Sequence, residues 1–193
     1  QILMVLSILL FSLNTISAQV NTDTIRPLSI GETRILKSGI LGENRILNIY
    51  LPNNYDKHVA YPVIYLLDGS VNEDLIHISG LVQFFNMMFQ MPDFIVIGIA
   101  NVDRKRDFTF PTVLKDLKEK YPTTGGSAKF IDFIEKELQP FIQFNYKTTE
   151  TKYIIGQSLG GLLASEILLK KPFLFTHYFI ISPSLWWNNE SLL

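Results

Sequence analysis

Residues 153–161 read YIIGQSLGG: a short apolar run, a glycine, one serine and two more glycines. The segment contains the pattern G-x-S-x-G with Ser158 at its centre, and the sequence LGGLLASEILLKK that follows is typical of a helix. A serine in a tight turn between a buried strand and a helix forms a nucleophile elbow. This stretch therefore predicts an α/β fold in which the Ser158 hydroxyl stands above the carboxyl edge of a parallel sheet.

The surroundings of Ser158 suit a nucleophile. Such a turn crowds its neighbours, so small residues are expected at Gly156 and Gly160. The helix after the turn would direct its free N–H groups and positive dipole end at the hydroxyl. The backbone N–H of Leu159 would then donate to a developing oxyanion. The alternative is a structural role, in which Ser158 only caps the helix within a glycine-rich turn.

Strands and helices alternate on both sides of this turn. Buried strands are predicted for 61–69 (YPVIYLLDG), 93–100 (DFIVIGIA), 151–157 (TKYIIGQ) and 177–184 (HYFIISPS). Helices are predicted for 70–89, capped by Ser70, and for 126–141, capped by Ser127. An N-terminal antiparallel hairpin is predicted for 33–52, and a charged loop for 101–112. The expected class is α/β, with a mostly parallel sheet.

The amino-acid composition excludes several classes of function. The 193 residues are 47% hydrophobic and 18% charged, which is enough for one ordinary domain with a core. A net charge of −1 with no basic run predicts no nucleic-acid partner. There is no cysteine, and the three histidines are widely separated, so no metal site is expected.

The first residues predict a targeting segment. Residues 1–18, QILMVLSILLFSLNTISA, have the apolar run and small final residues of a secretory signal peptide. An uncleaved anchor is the alternative, but the run is short and interrupted, so no stable membrane insertion is expected. The predicted organisation is a signal peptide at 1–18, a linker at 19–32 and a domain at 33–193, in a secreted or periplasmic protein.

Five segments together resemble one family. The sequence over roughly 33–193 is similar to the esterase branch of the α/β-hydrolases, which includes enterochelin and salmochelin siderophore esterases and esterase D-like S-formylglutathione hydrolases. The segments that carry the resemblance are YPVIYLLDG (61–69), LIHISGLVQFF (75–85), VIGIANVDRKRDFT (96–109), YIIGQSLGGLLA (153–164) and ISPSLWWN (181–188).

The resemblance implies a chemistry. Ser158 would be the nucleophile of a serine carboxylic-ester hydrolase that works through an acyl-enzyme, with a small or siderophore-type ester as substrate and no cofactor. Leu159 would supply one oxyanion donor, and Gly69 or Ser70 the second. Hydrolysis and acyl transfer to another acceptor remain open.

The acid and the histidine of the triad are expected elsewhere. In this fold they follow the serine in the order acid, then histidine. Here only His177 follows Ser158, Glu166 is predicted to face solvent, and Glu190 comes after His177. The resemblance therefore predicts a C-terminally truncated fragment that is inactive alone. The alternative is a non-catalytic α/β-hydrolase-like binding module that lacks both groups.

Several side chains are candidates for substrate binding. Arg104 and Arg106 would clamp an anionic or catecholate substrate, or else pair with nearby acids in a solvated loop. Trp186 and Trp187 would line a pocket mouth, or else pack against other parts of the protein. His77 is predicted to be a packed core residue, with pocket lining as its alternative.

Overall fold

The computed structural model describes residues 25–192. The predicted signal peptide and the first part of the predicted linker lie outside this range. Residues 25–30 carry no regular structure, and the first strand begins at Gly31.

Six strands form one mixed sheet. Its spatial order is β1-β2-β4-β3-β5-β6. The pairs β1/β2 and β2/β4 are antiparallel, and the pairs β3/β4, β3/β5 and β5/β6 are parallel. This confirms the predicted α/β class with an N-terminal antiparallel hairpin. The strands are β1 (Gly31–Ser38), β2 (Glu43–Tyr50), β3 (Tyr61–Leu66), β4 (Ile95–Ile99), β5 (Thr148–Gln157) and β6 (His177–Ile181).

The bounds of the helices differ in places from the predicted ones. They are α1 (Leu75–Met87), α2 (Arg104–Phe108), α3 (Lys115–Lys120), α4 (Ser127–Phe133), α5 (Gln139–Asn145) and α6 (Leu159–Lys170). The helix predicted to start at Ser70 begins five residues later, after Asp74. The predicted charged loop contains α2, because the Asp103 side chain accepts the Arg106 N–H and caps that helix.

A π-helical turn interrupts the long helix that the sequence predicts near residue 134. The turn covers Ile134–Leu138 and lies between α4 and α5. The Gln139 N–H donates to the Ile134 carbonyl, five residues back. Pro140 follows and has no N–H to continue the ordinary helical ladder, which accounts for the break. Ser127 is the first helical residue rather than the cap, which is Gly126.

Both faces of the sheet are packed, and the parallel strands end at one common edge. Residues of α4, the π turn, α5 and α6 join one core cluster, and Val82 of α1 joins a smaller one. Strands β3 to β6 are parallel, so their carboxyl ends meet at a single edge. Within residues 25–192, every helix is too short or too polar to cross a bilayer.

Candidate active site

Ser158 occupies a sharp turn between β5 and α6. Its backbone has φ of 57° and ψ of −115°, a combination that a residue with a side chain rarely adopts. The Ser158 N–H donates to the Ile181 carbonyl at 3.1 Å, and its carbonyl accepts the N–H groups of Leu162 and Ser184 at 2.9 Å each. These bonds to α6, to the last residue of β6 and to the segment after β6 hold the strained residue in place.

Two glycines allow this turn to form. A Cβ atom added at Gly156 would lie 2.4 Å from the Gly160 carbonyl oxygen, and one at Gly161 would lie 2.9 Å from the Pro183 Cα atom. Gly160, the other glycine of the predicted motif, is less restricted, since its nearest contacts would be 3.4 Å away. The steric requirement therefore falls on Gly156 and Gly161 rather than on Gly156 and Gly160.

The Ser158 hydroxyl lies beside a second serine and a small cavity. Its Oγ atom is 3.1 Å from Oγ of Ser184, a buried residue three positions after β6. The cavity has a volume of about 200 Å³. Its lining residues include two cationic and three aromatic side chains: Arg104, Lys105, Tyr121, Trp186 and Trp187.

Arg104 joins the loop after β3 to the elbow. Its Nε and Nη2 atoms donate to the two Asp68 carboxylate oxygens at 2.6 and 2.8 Å. Nη2 also lies 3.3 Å from the Gln157 carbonyl, directly before Ser158. The Asp68 hydrogen bonds raise the pKa of Arg104 above its ordinary value, so the guanidinium stays charged. Asp68, with φ of 54°, accepts a further bond from Asn101 at 2.7 Å.

The three predicted oxyanion donors differ in their availability. Leu159 is the first residue of α6, so its N–H has no partner within the helix. The Gly69 N–H donates to the Ile99 carbonyl at 3.0 Å, which corrects the expectation that it is free for an oxyanion. The Ser70 N–H donates to the Glu73 carboxylate at 3.2 Å. Burial raises the pKa of Glu73, but hydrogen bonds from Ser70 and Asn101 outweigh it and leave the pKa lowered.

We expect Arg104→Lys to lower kcat about tenfold with little change in KM. A lysine keeps the charge but not the two-pronged contact with Asp68, so the loop after β3 loses its fixed position relative to Ser158. Steady-state hydrolysis of p-nitrophenyl butyrate by the complete gene product measures both constants. Arg34→Lys is the matched control, because Arg34 forms an exposed pair with Glu32 away from the cavity. A raised KM with unchanged kcat would instead make Arg104 a substrate contact.

The other predicted binding residues have different surroundings. Arg106 donates to Asp107 and Glu43 at 2.8 and 2.6 Å and does not line the cavity, so its predicted clamp role is corrected to a structural one. Trp187 is buried, and its Nε1 donates to the Phe110 carbonyl. Trp186 is half exposed at the cavity. His77 was predicted to be a core residue, but 61% of its side chain is exposed and it lies outside the cavity lining.

The described histidines and acids do not form a triad with Ser158. His177 lies opposite Tyr153 in the sheet. Tyr153 is five residues before Ser158 along β5, so the two positions are about 16 Å apart at the usual rise of a strand. Its ring stacks on Tyr153 with centroids 4.2 Å apart. Glu166, predicted to face solvent, is buried and accepts from Lys170 at 2.5 Å. Within residues 25–192, no group of three or more His, Asp or Glu side chains is arranged to hold a metal ion.

Sequence reasoning missed Ser184. The indication in the sequence was the position of Ser184: ISPS (181–184) ends the predicted strand 177–184, which lies next to β5 as β6. In this strand pair Gln157 is opposite Ile181. A serine a few residues beyond Ile181 lies at the same sheet edge as Ser158, but no local pattern shows that the two hydroxyls meet.

A serine in a strained strand-to-helix turn, above the carboxyl edge of a sheet of this order, defines the α/β-hydrolase class. Within that class, residues 38–192 match the family model described as "Putative esterase", and the chain belongs to this family.

Its relatives include siderophore esterases. The chain is 34% identical over 192 residues to ferri-bacillibactin esterase BesA of Bacillus subtilis, covering 90% of this chain and 65% of BesA. An IroE-like serine hydrolase from Shewanella oneidensis superposes with a TM-score of 0.75 at 38% identity, covering 83% of this chain and 53% of that structure. The BES protein from Bacillus cereus gives a TM-score of 0.77 at 32% identity, over 89% of this chain and 70% of that one. The chain thus spans slightly less than two thirds of BesA.

Proposed function

We propose that this chain carries the nucleophile of a serine carboxylic-ester hydrolase. The observation that carries the proposal is the geometry of Ser158: a strained residue at the start of α6, with its hydroxyl at a cavity on the carboxyl edge of the sheet. In acylation, Ser158 Oγ attacks the ester carbonyl carbon and a general base takes the hydroxyl proton. The C–O bond of the ester then breaks, and the base gives that proton to the departing alcohol. Water then releases the acid and restores Ser158.

The oxyanion has two proposed donors in this chain. The Leu159 N–H is one, supported by its position at the start of α6. The Ser70 N–H is the second, and it requires the Glu73 carboxylate to release its 3.2 Å contact. The general base is proposed to be a histidine outside residues 25–192, because none of the described histidines is hydrogen-bonded to Ser158 or lines its cavity.

The proposed substrate is a small or siderophore-type ester. The names of BesA and of a siderophore enterobactin esterase from Emericella nidulans support this class; the latter is 36% identical over 90 residues, 45% of this chain and 30% of that protein. Lys105 beside aromatic side chains at the cavity also suits an acyl group that is anionic and aromatic. Secretion through the signal peptide predicted at residues 1–18 is part of the same proposal.

Covalent labelling tests this function directly. A fluorophosphonate probe reacts with an activated serine, so the complete gene product should acquire one adduct, and peptide mass spectrometry should place it on Ser158. Denatured protein is the control and should not react. An adduct on another serine would contradict the assignment.

The binding-module alternative has one observation in its favour. Among the described residues, the side chain that contacts Ser158 Oγ is that of Ser184, which is not a base. Complete, folded gene product that takes no label and hydrolyses no p-nitrophenyl ester would favour this alternative.

A further inference from the structure

We propose that Ser184 is a catalytic residue that donates a hydrogen bond to Ser158 Oγ and thereby speeds the deacylation step. This inference rests on the proposed function of Ser158 and adds a role for a residue outside the usual triad and oxyanion hole. Its basis is the 3.1 Å contact between the two hydroxyl oxygens.

Ser184 is held firmly against the nucleophile. Only 5% of the residue is exposed, and its backbone N–H donates to the Ser158 carbonyl at 2.9 Å. The segment after it is anchored as well, since the Trp187 N–H donates to the Ser184 carbonyl and the Trp187 indole donates to Phe110. The side chain is thus positioned from both sides and is not a mobile surface hydroxyl.

The direction of the hydrogen bond follows from counting protons. Each serine hydroxyl has a single proton to donate. In the assembled site Ser158 gives its proton to the general base, so the contact between the two oxygens requires Ser184 to be the donor. Its O–H then points at the oxygen that forms and breaks the bond to the acyl group.

This bond has different strengths before and after acylation. In the free enzyme Ser158 Oγ is a hydroxyl oxygen and a good acceptor, whereas in the acyl-enzyme it is an ester alkoxy oxygen and a poor one. During deacylation, water adds to the acyl carbon and loses a proton to the base. The C–Oγ bond then breaks, its electron pair stays on Ser158 Oγ, and that oxygen takes the proton back from the base.

Ser184 therefore assists one half of the cycle. Its donor bond grows stronger as negative charge collects on the departing Oγ, so it stabilises the transition state of deacylation relative to the acyl-enzyme. In acylation the bond to the hydroxyl oxygen is already present in the ground state, so the gain on reaching the transition state is smaller than in deacylation, which starts from the poor acceptor of the acyl-enzyme. A residue that only supported the fold would affect both steps alike.

The test is the kinetics of Ser184→Ala in the complete gene product with p-nitrophenyl butyrate. We expect the burst rate constant to stay within about twofold of wild type while the deacylation rate falls about tenfold, which is typical for one hydrogen bond. Butyryl-enzyme should accumulate, as measured by intact mass after an acid quench. Ser184→Thr, which keeps a hydroxyl, should restore most of the deacylation rate. Ser182→Ala, at an exposed serine two residues earlier, should behave as wild type.

The outcomes separate the two proposals. Equal losses in burst and deacylation rates, or no loss in either, would overturn the role of Ser184. The proposal predicts that the fluorophosphonate probe labels Ser184→Ala at the normal rate, because acylation is little affected. Normal labelling would also show that the variant is folded. A failure to label would therefore count against the proposal. Absence of any label on Ser158 in the wild-type protein would remove the proposed function itself.

Discussion

Ser158→Ala is expected to reduce ester hydrolysis by the complete gene product by a factor on the order of 10⁴ to 10⁶. The variant removes the oxygen that is proposed to attack the carbonyl, so the proposed oxyanion donors and the cavity would give only residual catalysis. The folded structure should change little, because the substitution deletes a single hydroxyl and keeps every backbone bond of the turn. Initial rates with p-nitrophenyl butyrate, beside a thermal melt of both proteins, measure the effect.

Ser165→Ala provides the matched control. Ser165 lies on the same helix, and its hydroxyl donates to the Gly161 carbonyl rather than reaching the cavity. That variant should retain wild-type turnover to within about twofold. If Ser158→Ala loses less than about tenfold, the nucleophile is elsewhere and the elbow is only a structural turn.

The elbow and the sheet were predictable because their signals are local. The glycines around Ser158, the apolar run before it and the antiparallel hairpin at the N-terminus each depend on neighbouring residues. The structure confirms the turn, the strand and the hairpin, but it places the second steric requirement on Gly161 instead of Gly160. Fold class follows from the alternation of such segments. The Ser158 turn itself needs contacts with Pro183 and Ile181, but the glycines that permit these contacts are visible in the sequence.

Other parts of the site depend on which strands are neighbours, and local patterns do not contain that information. Arg104 was interpreted as a substrate clamp or a solvated cation. It pairs instead with Asp68, 36 residues away, because β3 and β4 lie side by side. Ser184 meets Ser158 for the same reason across β5 and β6. Glu166 was predicted to face solvent from its place on α6, but Ala128 and Ile131 of α4 lie beside it in the fold.

The largest effect on stability is expected from Asp107→Ala. Asp107 and Arg45 are both buried, with Nη2 and Oδ2 2.5 Å apart, and Arg106 and Glu43 complete a group of two cations and two anions. The Arg45 guanidinium also lies 5.1 Å from the centre of the Phe130 ring. Removing one carboxylate leaves a buried cation with incomplete compensation, which costs about 3–5 kcal/mol in the free energy of unfolding.

The same substitution links stability to the active site. Asp107 lies on α2, the short helix that begins with Arg104, so a loosened α2 would also release the Arg104 contact with Asp68. We expect a fall in Tm of about 10 °C and a partial loss of kcat, measured by calorimetry and by initial rates on the complete gene product. Asp132→Ala removes the same charge from partly exposed ion pairs with Lys136 and Lys171 and should cost less than about 1 kcal/mol. If the two variants have the same Tm, the buried charges contribute no net stability. The position of Arg104 would then depend on its own hydrogen bonds to Asp68 and Gln157.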